Sequence, residues 1–132
     1  ATYFEAFCDM MIFDALIYNT DRHLNNFGLM VDNRVNQPYA MGPIFDNGLS
    51  LFNFAMADDF EDLETYAQSR LSAFDISFDE IAHEFITPRQ KGQLRHLQEF
   101  KFTRHKRYNL PAARLKALEQ FIRKRARFLL TL

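Results

Sequence analysis

The chain has 132 residues, 48% of them hydrophobic and fifteen of them Phe, which allows one domain with a sizeable core and excludes two ordinary ones. A single cysteine, Cys8, excludes an internal disulfide, and no apolar run nears the roughly 18 residues that cross a bilayer, so the expectation is a soluble cytoplasmic protein with no membrane span. The net charge of −1 hides a division: residues 1–88 hold fifteen acidic side chains against three basic ones and no lysine, while residues 89–132 hold thirteen basic against two acidic.

In chain order, the spacing of Phe4, Phe7, Cys8, Met11, Ala15 and Tyr18 predicts a helix over 3–18. Its other face is also apolar (Met10, Phe13, Ile17), which implies burial on most sides, with Cys8 a core residue. The helix should end near Asn19. After a polar loop, "FGLMVD" alternates Phe27, Leu29 and Val31 as a short strand, and "NRVNQP" has turn chemistry. A second strand through "YAMGPIF", broken or bulged at Gly42 and Pro43, would complete a hairpin that delivers Asp46. The remainder reads as helical. "DDFE", "SFDE" and "TPRQ" match capping boxes that would start helices near Asp58, Ser77 and Thr87. A last helix from about Pro111 would bury Leu115, Leu118, Ile122 and Leu129, with the charges of "RKRAR" as its solvated face. The fold class expected is mainly α with a small β-hairpin (α+β), in a single domain over 1–132.

The loop between the first helix and the first strand, "NTDRHLNNFG", concentrates an Asp, an Arg, a His and three amides between apolar elements. Asp21 and Asn26 are five positions apart on a tight loop and can face one point, and Asp46 returns to the same region by the hairpin. Asp, Asn and a phosphate oxygen form the hard oxygen set that Mg²⁺ prefers. The second Asp is then free to orient a hydroxyl as base, which is the division of labour in phosphoryl transfer. Taken singly, these residues have ordinary readings: Asp21 as a turn cap, Asn25 and Asn26 as loop residues, His23 as structural, Asp46 as turn chemistry before Asn47-Gly48.

Together, Asn19-x-Asp21-x-His23-x-x-Asn26 and the later Pro43-Ile44-Phe45-Asp46 resemble the catalytic and metal-binding loops of HipA-type toxin kinases. The core Asp21-Arg22-His23-x-x-Asn26 is also similar to the catalytic loop of phosphatidylinositol-kinase-like enzymes. The resemblance covers residues 3–52. It implies the helical C-lobe of a protein-kinase-like fold, ATP and Mg²⁺ as cofactors, a protein substrate and an antitoxin-like protein partner. It places the catalytic base on Asp21, a loop His that polarises phosphate or holds the loop on His23, and the metal ligands on Asn26 and Asp46, with Asn26 also near the nucleotide. Arg22 would neutralise phosphate charge or brace Asp46, and the sequence leaves the two open. Where protein kinases read Asp-Phe-Gly, this chain has Asp46-Asn47-Gly48, so no role of the Phe carries over.

These kinases hold ATP with an N-lobe lysine and a phosphate-covering loop, for which residues 1–88 offer neither a lysine nor clustered glycines. The expectation is therefore an isolated C-lobe, with its N-lobe elsewhere and little activity on its own. Its docking face would then lie exposed and apolar, which favours dimerisation. The readings that compete are a non-catalytic binding module, acting through its basic helices or that face, and a lipid-kinase-like enzyme suggested by Arg22. The basic end would lie against an acidic body or partner. Nucleic acid at residues 101–127 is a further reading, with "RHKR" at 104–107 either a phosphate contact or a solvated turn. His83, His96 and His105 share no metal-ligand spacing.

Overall fold

Helix α1 (Thr2–Ile17) is apolar on nearly every side because it is the central element, and in this computed structural model, which describes residues 2–132, it packs on α3 (Phe78–Phe85), on α5 (Ala112–Leu130) and on a hairpin. Cys8, Met10, Met11, Ile12, Ala15, Leu16 and Ile17 are all buried in it, and burial pushes the Cys8 thiol up, away from reactivity. The α5 stripe of Leu115, Leu118, Ile122 and Leu129 meets this core as its periodicity requires. Beyond that stripe, Tyr18, Phe52, Phe78 and Phe121 form one aromatic cluster, with Phe52 and Phe121 edge to face at 4.7 Å.

The hairpin pairs β1 (Leu29–Asp32) with β2 (Gln37–Met41) antiparallel, in the register Leu29 to Met41 and Asp32 to Gln37, with a bulge between Met30 and Val31. The second strand stops at Met41, short of the span the sequence suggested. Gly42 still donates its N–H to Gly28 O at 2.8 Å, and a Cβ there would sit 3.1 Å from that same oxygen, so a larger residue would have to push the strand ends apart by a few tenths of an ångström. Leu29, Met30, Val31, Val35 and Tyr39 are exposed, so the ribbon stands out from the body with apolar residues in solvent. The class is α+β, mainly helical, with one two-stranded sheet among the described residues.

The boxes at Ser77 and Thr87 form as expected and start α3 and α4 (Pro88–Leu94), with Pro88 in the first turn. The box at Asp58 does not. A 3₁₀ turn over Ala57–Asp62 begins one residue earlier, with Asp59 accepting from Met56 N, and Asp62 then caps α2 (Leu63–Gln68) through Thr65 N. Four acids within five residues let the cap slide, because any of Asp58, Asp59 and Asp62 can accept from a free N–H. Residues 98–111 are a second departure from the helical reading. They run without helix, since four cations over 101–107 repel one another and Pro111 keeps residue 110 from helical geometry. A third is Arg125. It is buried in α5 rather than on a solvated face, with its guanidinium between the rings of Tyr18 and Phe128. No helix among the described residues is long and apolar enough to cross a membrane.

Candidate functional site

The site begins where α1 ends. The last carbonyls of a helix lack partners inside it, and α1 has no basic residue in its last turn to meet them. Three other segments do so: Asn19 N donates to Asp14 O, Arg125 Nε to Ala15 O at 2.9 Å, and Leu51 N to Ile17 O at 2.7 Å. Tyr18 takes a left-handed conformation (φ 53°) that turns the chain out of the helix, and Asn19 follows fully buried. Its amide nitrogen donates to Asp14 Oδ1 and its oxygen accepts from Asp21 N. Thr20 N then donates to Leu49 O at 3.1 Å. The polar loop and the segment behind Asp46 are thus strapped together by main chain.

Arg22 is the centre of the arrangement. It is 2% exposed, and all five N–H groups are engaged by protein. Nε and Nη2 grip Asp14 at 2.9 and 3.1 Å, Nη2 also reaches Asn47 Oδ1 at 2.6 Å, and Nη1 donates to the carbonyls of both Asn26 and Phe45. One nitrogen therefore joins the polar loop to the residue before Asp46. Of the two roles the sequence left open for Arg22, charge neutralisation at a phosphate and bracing of Asp46, the geometry seen is that of its five N–H groups on protein acceptors, among them Phe45 O and Asn47 Oδ1 on either side of Asp46. Burial pushes the Asp14 carboxyl up, while the bonds from Arg22 and Asn19 pull the other way.

Around this clamp the loop closes on itself. Asn26 Nδ2 donates to Asp21 O at 2.7 Å, and the ring of His23 accepts from Asn25 N at Nδ1, with Nε2 3.2 Å from Asn26 Nδ2 and 3.8 Å from Asp21 Oδ1. The Asp21 carboxylate, 38% exposed, accepts no hydrogen bond among the described residues. The same holds for Asn26 Oδ1 and for the exposed Asp46 carboxylate, whose backbone is left-handed (φ 54°). These oxygen acceptors on two strapped loops are of the hard ligand type that a divalent cation takes. No cluster of three or more His, Cys, Asp or Glu able to hold a metal by themselves occurs among the described residues. Beside Thr20 and Leu49 opens a cavity of about 270 Å³, with Tyr18, Asn53, Tyr66 and Arg70 in its walls.

Sequence reasoning missed Asp14 and Asn47. Asp14 had a signal: it is the only charge in the last two turns of an otherwise apolar helix, eight residues before an Arg. Asn47 had none beyond turn propensity. No protein-family model matches the chain, and no curated protein or solved structure does either.

Proposed function

We propose that this chain is the helical C-lobe of a HipA-like serine/threonine protein kinase that transfers the γ-phosphoryl group of ATP with Mg²⁺. The observation that supports it is the Arg22 clamp, which joins Asn26 and Phe45 on one nitrogen and so brings Asp46 to the Asp21 loop. Isolated turn residues need no such buried junction.

In this reading Asp21 is the base: its half-exposed carboxylate takes the proton of an acceptor hydroxyl. Asn26 Oδ1 and Asp46 would hold Mg²⁺, which when bound neutralises charge on the phosphates. His23 acts as a positioning residue, holding Asn25 N and lying against Asp21 and Asn26. Residues 1–88 contain no lysine to anchor the nucleotide, so that part of the reaction is assigned to another lobe and the chain alone should turn over little ATP.

The test follows Mg²⁺-dependent transfer of labelled γ-phosphate by the full-length protein, in wild type and in Asp21→Asn and Asp46→Asn. Loss of transfer in both variants with the fold intact upholds the reading; transfer that survives either substitution overturns that residue's role. On the chain itself, Mn²⁺ should broaden the NMR signals of Asn26 and Asp46 first, and uniform broadening would count against the metal pair.

A further inference from the structure

The basic end is not neutralised by the acidic body. Of its thirteen cations, four are in ion pairs among the described residues: Arg89 with Asp9, Arg104 with Glu119, Lys124 with Glu64 and Arg125 with Asp79. Nine cations are left without a carboxylate, and the densest group lies in the irregular segment between α4 and α5.

That segment carries a built knob. His105 N donates to Asn109 Oδ1 at 2.8 Å and Asn109 Nδ2 donates back to His105 O at 2.7 Å. Inside this ring, His105 Nδ1 accepts from both Arg107 N and Tyr108 N at 3.0 Å. The tip is therefore fixed, with Lys106 and Arg107 exposed and Tyr108 79% exposed. The Tyr108 ring stacks on His105 at 5.4 Å with 24° between planes.

A groove of about 620 Å³ runs from this knob to the segment behind Asp46, between Ser50, Asn53, Phe102, His105, Tyr108 and Arg114. Ser50 Oγ, behind its wall, is shielded from solvent without a hydrogen-bond partner among the described residues.

We propose that this face binds single-stranded nucleic acid, its phosphates on Lys106 and Arg107 and a base on Tyr108 at the mouth of the groove. Cations beside an exposed aromatic platform are what unpaired strands need. An acidic polypeptide would satisfy the cations, but its carboxylate side chains offer no ring to Tyr108, whereas every nucleotide of a strand brings one beside its phosphate. A duplex keeps its bases stacked on each other and out of reach. The surplus of acidic groups over 1–88 would repel a polyanion elsewhere and confine it to this end. This inference stands apart from the kinase reading, since it uses neither Asp21 nor Asp46.

The test is fluorescence anisotropy on the 132-residue chain with labelled strands of about 20 nucleotides: oligo-dT, oligo-rU, an abasic strand with the same phosphates, and a duplex. Oligo-dT or oligo-rU should bind about tenfold tighter than the abasic strand. Tyr108→Ala should erase that difference, and Tyr108→Phe should keep it. Lys106→Gln with Arg107→Gln should weaken every strand and lower the salt slope by about 1.4, near 0.7 for each lost phosphate contact. The ratio of rU to dT decides between RNA and DNA, either of which upholds the proposal. Equal affinity for the abasic strand or for polyglutamate, preference for duplex, or no binding at about 50 mM salt would overturn it. Circular dichroism of each variant confirms that the fold is unchanged, and these exposed positions make that the expected result.

Discussion

Asp14 and Arg22, eight residues apart, meet in the core as a doubly bonded ion pair at 2.9 and 3.1 Å, with both side chains almost wholly buried. Removing either partner strands a buried charge, so Asp14→Ala and Arg22→Ala should each cost about 3–5 kcal/mol. Urea denaturation of the chain measures it. Arg22→Lys should cost nearly as much, because a single ammonium with three N–H groups cannot serve Asp14, Asn47 and two carbonyls at once. A lysine variant as stable as wild type would show that the clamp is charge without geometry.

Asp46 behaves in the opposite way. It is exposed, forms no hydrogen bond through its carboxylate among the described residues, and sits at a left-handed position that Asn also tolerates. Asp46→Asn should therefore change stability by no more than about 0.5 kcal/mol. Under the proposed function, the same substitution in the full-length protein should abolish Mg²⁺-dependent transfer. The two measurements together separate a ligand from a scaffold residue, and a large stability loss would assign Asp46 to the scaffold.

Phe52 ties the segment behind Asp46 to the core, its ring packed against Tyr18, Tyr66 and Phe121 although its backbone is left-handed (φ 59°). Adjacent left-handed Leu51 and Phe52 are costly for bulky residues and persist because this packing holds them. Phe52→Ala should cost about 3–5 kcal/mol in thermal or urea unfolding. It should also loosen Thr20 and Leu51, seen as new line broadening in their amide signals.

The hydrogen bonds to Glu119 give a pH dependence of known sign. Arg104 and the N–H of Phe102 hold its carboxyl below the ordinary value of 4.5. A carboxylate lowered on folding adds stability above its unfolded pKa, and that gain is lost as pH falls through the folded one. Wild type should accordingly lose its advantage over Glu119→Gln as pH drops below about 4.5, by the linkage of proton binding to folding. Parallel stability curves for the two proteins across that range would show that the contact contributes nothing.

What was legible in the sequence is what repeats locally. The apolar spacing of α1 and α5, the boxes at Ser77 and Thr87, and the Asn-rich turn before Pro38 each depend on neighbours within about four residues. The loop after α1 and the hairpin that follows it were legible as well, from the apolar runs and turn residues that bound them. The fate of Arg22 was not, because it depends on residues 14, 26, 45 and 47 together. Arg125 misled for a related reason. Its helical position looks solvated until Ala15 O and Asp79 arrive from distant elements. Asp58 lost its cap to Asp59 through competition among identical side chains, which no pattern ranks.

The main-chain straps between 17–20 and 49–51 enclose a hairpin that is itself poorly covered. Such an arrangement decouples the order of opening from the order of the chain: the middle can unzip while both of its ends stay shut. In native-state hydrogen exchange, the amides of Thr20 and Leu51 should therefore exchange only through global unfolding, while those of Met30 and Val31 exchange through a cheaper local event.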